Sequence, residues 1–80
     1  MENMTPTFLA WRGMVRSCLN PAHPTYQSVG GAGIDIDKRW KKHFDFFVED
    51  MGPCPPGATL QRFDNDRDFT PGNCYWEGGQ

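Results

Sequence analysis

A small α+β domain is what this sequence predicts, and three observations carry that expectation. Two segments, one from Pro6 and one from Lys38, place apolar residues at helical spacing behind good capping residues. A third, from Thr59 to Trp76, reads as strand, polar loop, strand: Leu60 and Phe63 are apolar anchors before an Asp-Asn-Asp turn, Phe69 is one after it, and Pro71-Gly72 forces a second turn before Cys74-Tyr75-Trp76, the pattern of a β-hairpin. At 80 residues with 38% hydrophobic content, the chain makes one domain with a small core. Residues 1–80 are therefore read as a single unit, with 1–5 and 77–80 as flexible termini.

The first helix starts at Thr5-Pro6, with Thr as N-cap and Pro at the first helical position. Phe8, Trp11, Val15 and Cys18 form its apolar stripe, Gly13 weakens it by ~1 kcal/mol relative to alanine, and Asn20-Pro21 stops it. Tyr26 to Gly33 is a glycine-rich loop. Phosphate binding by such a loop needs a helix N-terminus directly behind it, so a tight turn into a short Ile34-Asp35-Ile36 strand is the better reading. Asp37 caps the second helix, which is expected to run from Lys38 to Met51 and stop at Gly52-Pro53. Trp40, Phe44, Phe47 and Met51 share one face of it and make the main core stripe. Phe46 and Val48 fall off that stripe; they meet the hairpin or form an exposed apolar patch. Pro53-Cys54-Pro55-Pro56-Gly57 is a stiff connector to the hairpin.

Charge is unevenly distributed. Residues 1–42 carry six basic against three acidic side chains, net +3, and residues 43–80 carry two against seven, net −5. The basic cluster is Lys38, Arg39, Lys41 and Lys42, a possible nucleic-acid contact. The acidic surface is Asp64, Asp66 and Asp68 at the hairpin tip with Asp45 and Glu49 on the second helix, a surface that repels phosphate and steers toward a basic partner. Both clusters also fit plain solvated faces. The Asp-x-Asp-x-Asp alternation opens like an EF-hand loop, but Phe69 stands where glycine is needed and Tyr75 where the closing glutamate is needed. Cys18, His23, Cys54 and Cys74 are the right ligand types for zinc, yet none of their spacings is the close pair that marks a zinc site. The alternative is two buried thiols and a loop thiol, and no cofactor is expected. The odd cysteine count disfavours a disulfide framework. No apolar run reaches the ~18 residues of a membrane span and no secretory segment is evident, so a cytoplasmic protein with no membrane association is expected.

One further pattern covers most of the chain. Leu60, Arg62, Asp64 and Asn65, followed by Pro71, Gly72, Asn73, Cys74 and Trp76, resemble the core of phage-type HNH homing endonucleases. Arg16 to Pro21, Tyr26, Gly30 to Ile34, Trp40, Phe44, Phe47 and Asp50 to Gly52 extend the resemblance over residues 8–76. It implies an HNH-type scaffold, a source in a phage or other mobile element, and the cytoplasm of a bacterial host. The departures are Ala32 for the family's arginine, Asp37 for its cysteine, Gln61 for its carboxylate, and no helix after Trp76. At the position of the catalytic histidine stands Arg62, and a guanidinium only donates hydrogen bonds and cannot act as a base. Asn73 alone is an inadequate metal site. The resemblance and the acidic surface together imply a protein that has lost catalysis and acts by binding, as an inhibitor of a bacterial defence complex of the anti-CRISPR kind. Its partner is then a bacterial protein or nucleoprotein complex with a basic surface. A residual metal-dependent nuclease and a DNA-binding accessory module are the alternatives.

Overall fold

The computed structural model describes residues 5–79. Its element order is α1 (Pro6–Leu19), two single 3-10 turns (Tyr26–Ser28 and Gly30–Ala32), α2 (Lys38–Lys42), α3 (Phe44–Met51), β1 (Ala58–Arg62) and β2 (Cys74–Gly78). The fold is a small α+β domain in which three helices pack around one antiparallel hairpin. No helix among the described residues is long and apolar enough to cross a membrane.

α1 begins as its sequence dictates: the Thr5 hydroxyl accepts from the Phe8 N–H at 3.2 Å and Pro6 opens the first turn. Its deepest side chains are Thr7, Met14 and Cys18, while Phe8, Trp11 and Val15 are half-buried. The buried face is thus rotated from the expected stripe. Phe8 and Trp11 are drawn aside to Phe44, with ring centroids 5.3 and 5.4 Å from it. Thr7 turns inward because its hydroxyl accepts from the Cys54 N–H at 2.8 Å.

The expected glycine-rich loop folds into the two 3-10 turns, which lie against the end of α1. Gly30 is required there, since a Cβ would stand 2.2 Å from the Cys18 carbonyl oxygen. Ile34 and Ile36 point inward and Asp35 outward, as alternation predicts. The expected strand reduces to one parallel bridge, Ile36 to Phe69. It is held by Phe69 N–H donating to the Asp35 carbonyl and Asp37 N–H to the Phe69 carbonyl, at 2.9 and 2.8 Å.

The helix expected over 38–51 is two helices. His43 takes extended backbone angles, φ −135° and ψ 103°, closing α2 and opening α3. Four cations in the five residues of α2 repel one another at helical spacing, which weakens its continuation. Asp37 caps α2 as expected, accepting from the Arg39 and Trp40 N–H groups. The break places the Trp40 ring edge-on to Phe47 at 5.0 Å, and these two side chains are the fully buried centre of the core.

Around that centre lie Met14, Cys18, Val29, Ile34, Ile36, Phe69 and Cys74. All three indole N–H groups are used as ties between elements: Trp11 donates to the Trp40 carbonyl, Trp40 to Asp50, and Trp76 to the Met51 carbonyl. The hairpin pairs Ala58 with Gly78 through Arg62 with Cys74. Phe69, expected on its second strand, belongs instead to the bridge with Ile36. Thr5 caps α1, and Glu77 and Gly78 pair with Thr59 and Ala58, while 1–4 and 80 lie outside the described residues.

Candidate functional site

The connection from Phe63 to Asn73 is long for a hairpin but closely tied. The Asn73 amide holds it from inside: Oδ1 accepts from the Asp64 N–H at 2.9 Å, and Nδ2 donates to the Asp64 and Asp68 carbonyls at 3.0 Å each. The Arg62 guanidinium makes a second brace, donating to the Asn65 and Arg67 carbonyls at 3.0 Å each with its centre 4.6 Å from the Phe69 ring. Two of the three tip carboxylates also take part. Asp64 accepts from the Asp66 N–H at 2.9 Å, an Asx turn, and Asp68 accepts from the Asp35 N–H at 3.0 Å. Asp64, Asp66 and Asp68 are all exposed. Each keeps at least one carboxylate oxygen for solvent or a partner, on a backbone that is already ordered.

An aromatic pair missed by sequence reasoning borders this loop. Phe63 is 69% exposed and stacks on Tyr75 with ring centroids 4.5 Å apart. Phe63, expected as an apolar anchor before the turn, lies on the outer face, because alternation from the inward-facing Leu60 places it there.

Asp45, Phe46 and Glu49 occupy the outer side of α3 and are exposed. Phe46 lies against the Arg39 guanidinium at 5.6 Å and edge-on to His43 at 5.6 Å. Among the described residues, no hydrogen bond, ion pair or ring contact joins these three to the tip carboxylates. They form a separate surface.

The basic cluster is partly neutralised where it stands. Arg39 reaches Asp37 at 3.4 Å and Asp50 at 2.9 Å, and Lys41 reaches Asp35 at 2.9 Å. The Lys41 contact and the Ile36 N–H hold the Asp35 carboxyl below its usual range. Lys38 and Lys42 are exposed.

The four zinc candidates are not brought together, and among the described residues no group of three His, Cys, Asp or Glu could hold a metal ion. Each has another use. Cys18 and Cys74 are core side chains, Cys54 Sγ lies 3.4 and 3.5 Å from the Pro55 and Ala58 carbonyls, and His23 Nδ1 lies 3.0 Å from the Thr25 hydroxyl.

Burial pushes the Cys18 and Cys74 thiols up to about 11 from 9.0. Their neutral form is the one the fold accepts, so between pH 9 and 11 the unfolded chain loses thiol protons that the folded chain keeps. Stability is therefore expected to be complete below pH 9 and to fall as pH rises through that window. Urea midpoints at pH 8 and pH 10.5 test this, and replacing both cysteines by alanine should shrink the pH-dependent difference. Equal midpoints in the native chain at the two pH values would contradict it.

No family model matches this chain, and neither a curated protein nor a solved structure matches it.

Proposed function

We propose that this protein is a non-catalytic binding protein of phage or mobile-element origin that inhibits a bacterial defence complex, acting in the cytoplasm of the host. Its acidic loop engages a basic surface that otherwise holds nucleic acid, as a DNA mimic does. The observation that carries the reading is the braced loop: Asn73 and Arg62 fix the backbone of 64–68 while the carboxylates of Asp64, Asp66 and Asp68 face outward. A pre-ordered charged loop loses little conformational entropy on binding and steers a cationic partner into register.

The same bonds weigh against a nuclease on an HNH-derived scaffold. Arg62 stands where that chemistry needs a base and Asn73 where it needs a ligand, and both side chains are committed to loop carbonyls and amides. Nucleic-acid binding through Lys38, Arg39, Lys41 and Lys42 is weakened in turn, because carboxylates already hold Arg39 and Lys41.

The test replaces Asp64, Asp66 and Asp68 together by asparagine. Asparagine Oδ1 still accepts the amides at positions 66 and 35, so the melting temperature should hold. Binding to the partner captured from host lysate should weaken by about tenfold or more, since close interfacial charge pairs couple by ~1.5 kcal/mol upward. The salt dependence of association should flatten. Unchanged affinity with an unchanged melting temperature would reduce the acidic run to a solvated loop. DNA nicking by the native chain with magnesium or manganese would overturn the non-catalytic reading.

A further inference from the structure

A groove of about 550 Å³ runs between α1 and β1, apart from both acidic surfaces. Its α1 wall is Pro6, Leu9, Ala10, Gly13, Met14 and Ser17. These steps of three and one define a single helical face, about 16 Å long at ~1.5 Å per residue. The facing wall includes three consecutive strand residues, Ala58, Thr59 and Leu60. Because successive strand side chains point to opposite faces, a groove bounded by three in a row meets β1 along its edge.

That edge carries open main-chain groups. Phe63 N–H donates to the Asn73 carbonyl at 2.9 Å, which makes them a hydrogen-bonded pair. By the alternation of an antiparallel ladder, Gln61 and Thr59 also bond β2, whereas the amides of Ala58, Leu60 and Arg62 point away from it. Ala58 agrees: its N–H donates to the Pro55 carbonyl, and its own carbonyl lies 3.5 Å from the Cys54 thiol. The Leu60 N–H and carbonyl have no such cover among the described residues. They lie beside an apolar floor of Met14, Leu60 and Phe69, and among the described residues no Asp, Glu, Lys or Arg lines the groove. At one end the hydroxyls of Ser17 and Thr25, 2.8 Å apart, and His23 supply the polar lining.

We infer that this groove is a peptide-docking site that takes an uncharged, extended segment of a partner protein as a third strand on β1. An extended main chain offers a donor and an acceptor at the spacing of an open strand edge, and alternate apolar side chains match the floor, as in other edge-strand recognition sites. About five residues at ~3.3 Å each span the groove. The site is independent of the acidic loop, which selects the opposite chemistry.

Gly13 provides the decisive variant. A Cβ built there meets nothing within 4 Å, and the residue lines the groove, so Gly13→Leu fills it while improving helix propensity. The melting temperature should hold or rise. The probe is the peptide acetyl-Val-Thr-Val-Thr-Val-amide, followed by NMR of the full chain. With the native protein, shifts should map to the α1 face and β1, and exchange of the Leu60 amide should slow. Gly13→Leu should weaken binding by about tenfold or more. Of two probes N-methylated at complementary alternate residues, one should fail to bind. The inference is overturned if the probe does not bind the native chain, if Gly13→Leu binds equally well, or if both methylated probes match the parent. It is likewise overturned if Leu60 gains protection with protein concentration alone, which would assign the edge to a second copy of the chain.

Discussion

Replacing Trp40 by alanine is expected to leave the chain unfolded at 25 °C. Trp40 has no exposed surface, and its ring meets Phe47, the other fully buried side chain, at 5.0 Å. Truncating a buried tryptophan costs ~3–5 kcal/mol, and a domain of this size holds only a few kcal/mol, no more than the low end of the usual ~5–15. The indole N–H also ties α2 to Asp50 near the end of α3, across the break at His43. Without it, among the described residues only the Arg39–Asp50 contact bridges α2 and Asp50 by a side-chain hydrogen bond. Circular dichroism and urea titration check the result. Trp40→Phe retains most of the apolar volume and loses the hydrogen bond, so it should fold with stability lowered by ~1–2 kcal/mol. A cooperative Trp40→Ala transition within ~1 kcal/mol of the native chain would mean that the core is centred elsewhere.

Local chemistry made much of this fold legible, and long-range pairing made the rest illegible. Thr5-Pro6, Asp37 and Gly52 mark helix ends through their own capping and backbone preferences, and the structure has boundaries at each. The break at His43 has no glycine or proline to announce it. It follows from cation crowding in α2 and from the packing of Trp40 on Phe47, which only the folded chain brings about. Phe69 was misplaced for a related reason: its partner is Ile36, thirty-three residues earlier, and a parallel bridge leaves no periodicity in either segment. At the candidate site, the exposure of Asp64, Asp66 and Asp68 follows from turn composition alone. What the sequence concealed is which charges are already answered. Lys41 and Asp35 are six residues apart, no helical spacing, yet they meet because Asp35 lies in the segment bonded to Phe69 just before α2.

Asn73→Ala is the substitution expected to separate the loop from the rest of the fold. One side chain here makes three hydrogen bonds, accepting from the Asp64 N–H and donating to the Asp64 and Asp68 carbonyls. At a net ~1 kcal/mol for each, their loss should lower stability by ~2–3 kcal/mol, with partial recovery wherever water reaches the freed groups. The domain should still fold, because Phe69 stays anchored through Asp35 and Asp37 and the Trp40–Phe47 centre is untouched. The loss should concentrate at the tip, with amide exchange at Asp64 accelerating far more than in α1 or α3. Asn73→Asp keeps an acceptor for Asp64 N–H but sets a carboxylate against two carbonyl oxygens, so it should fare no better than alanine. Partner binding through the acidic loop should weaken in both variants although every carboxylate is still present, because the loop must then be ordered on contact. If Asp64 exchange and the urea midpoint match the native chain, the bracing role of Asn73 is wrong, and the loop is held without it by Arg62, the Asp64 and Asp68 carboxylates and the Ile36–Phe69 bridge.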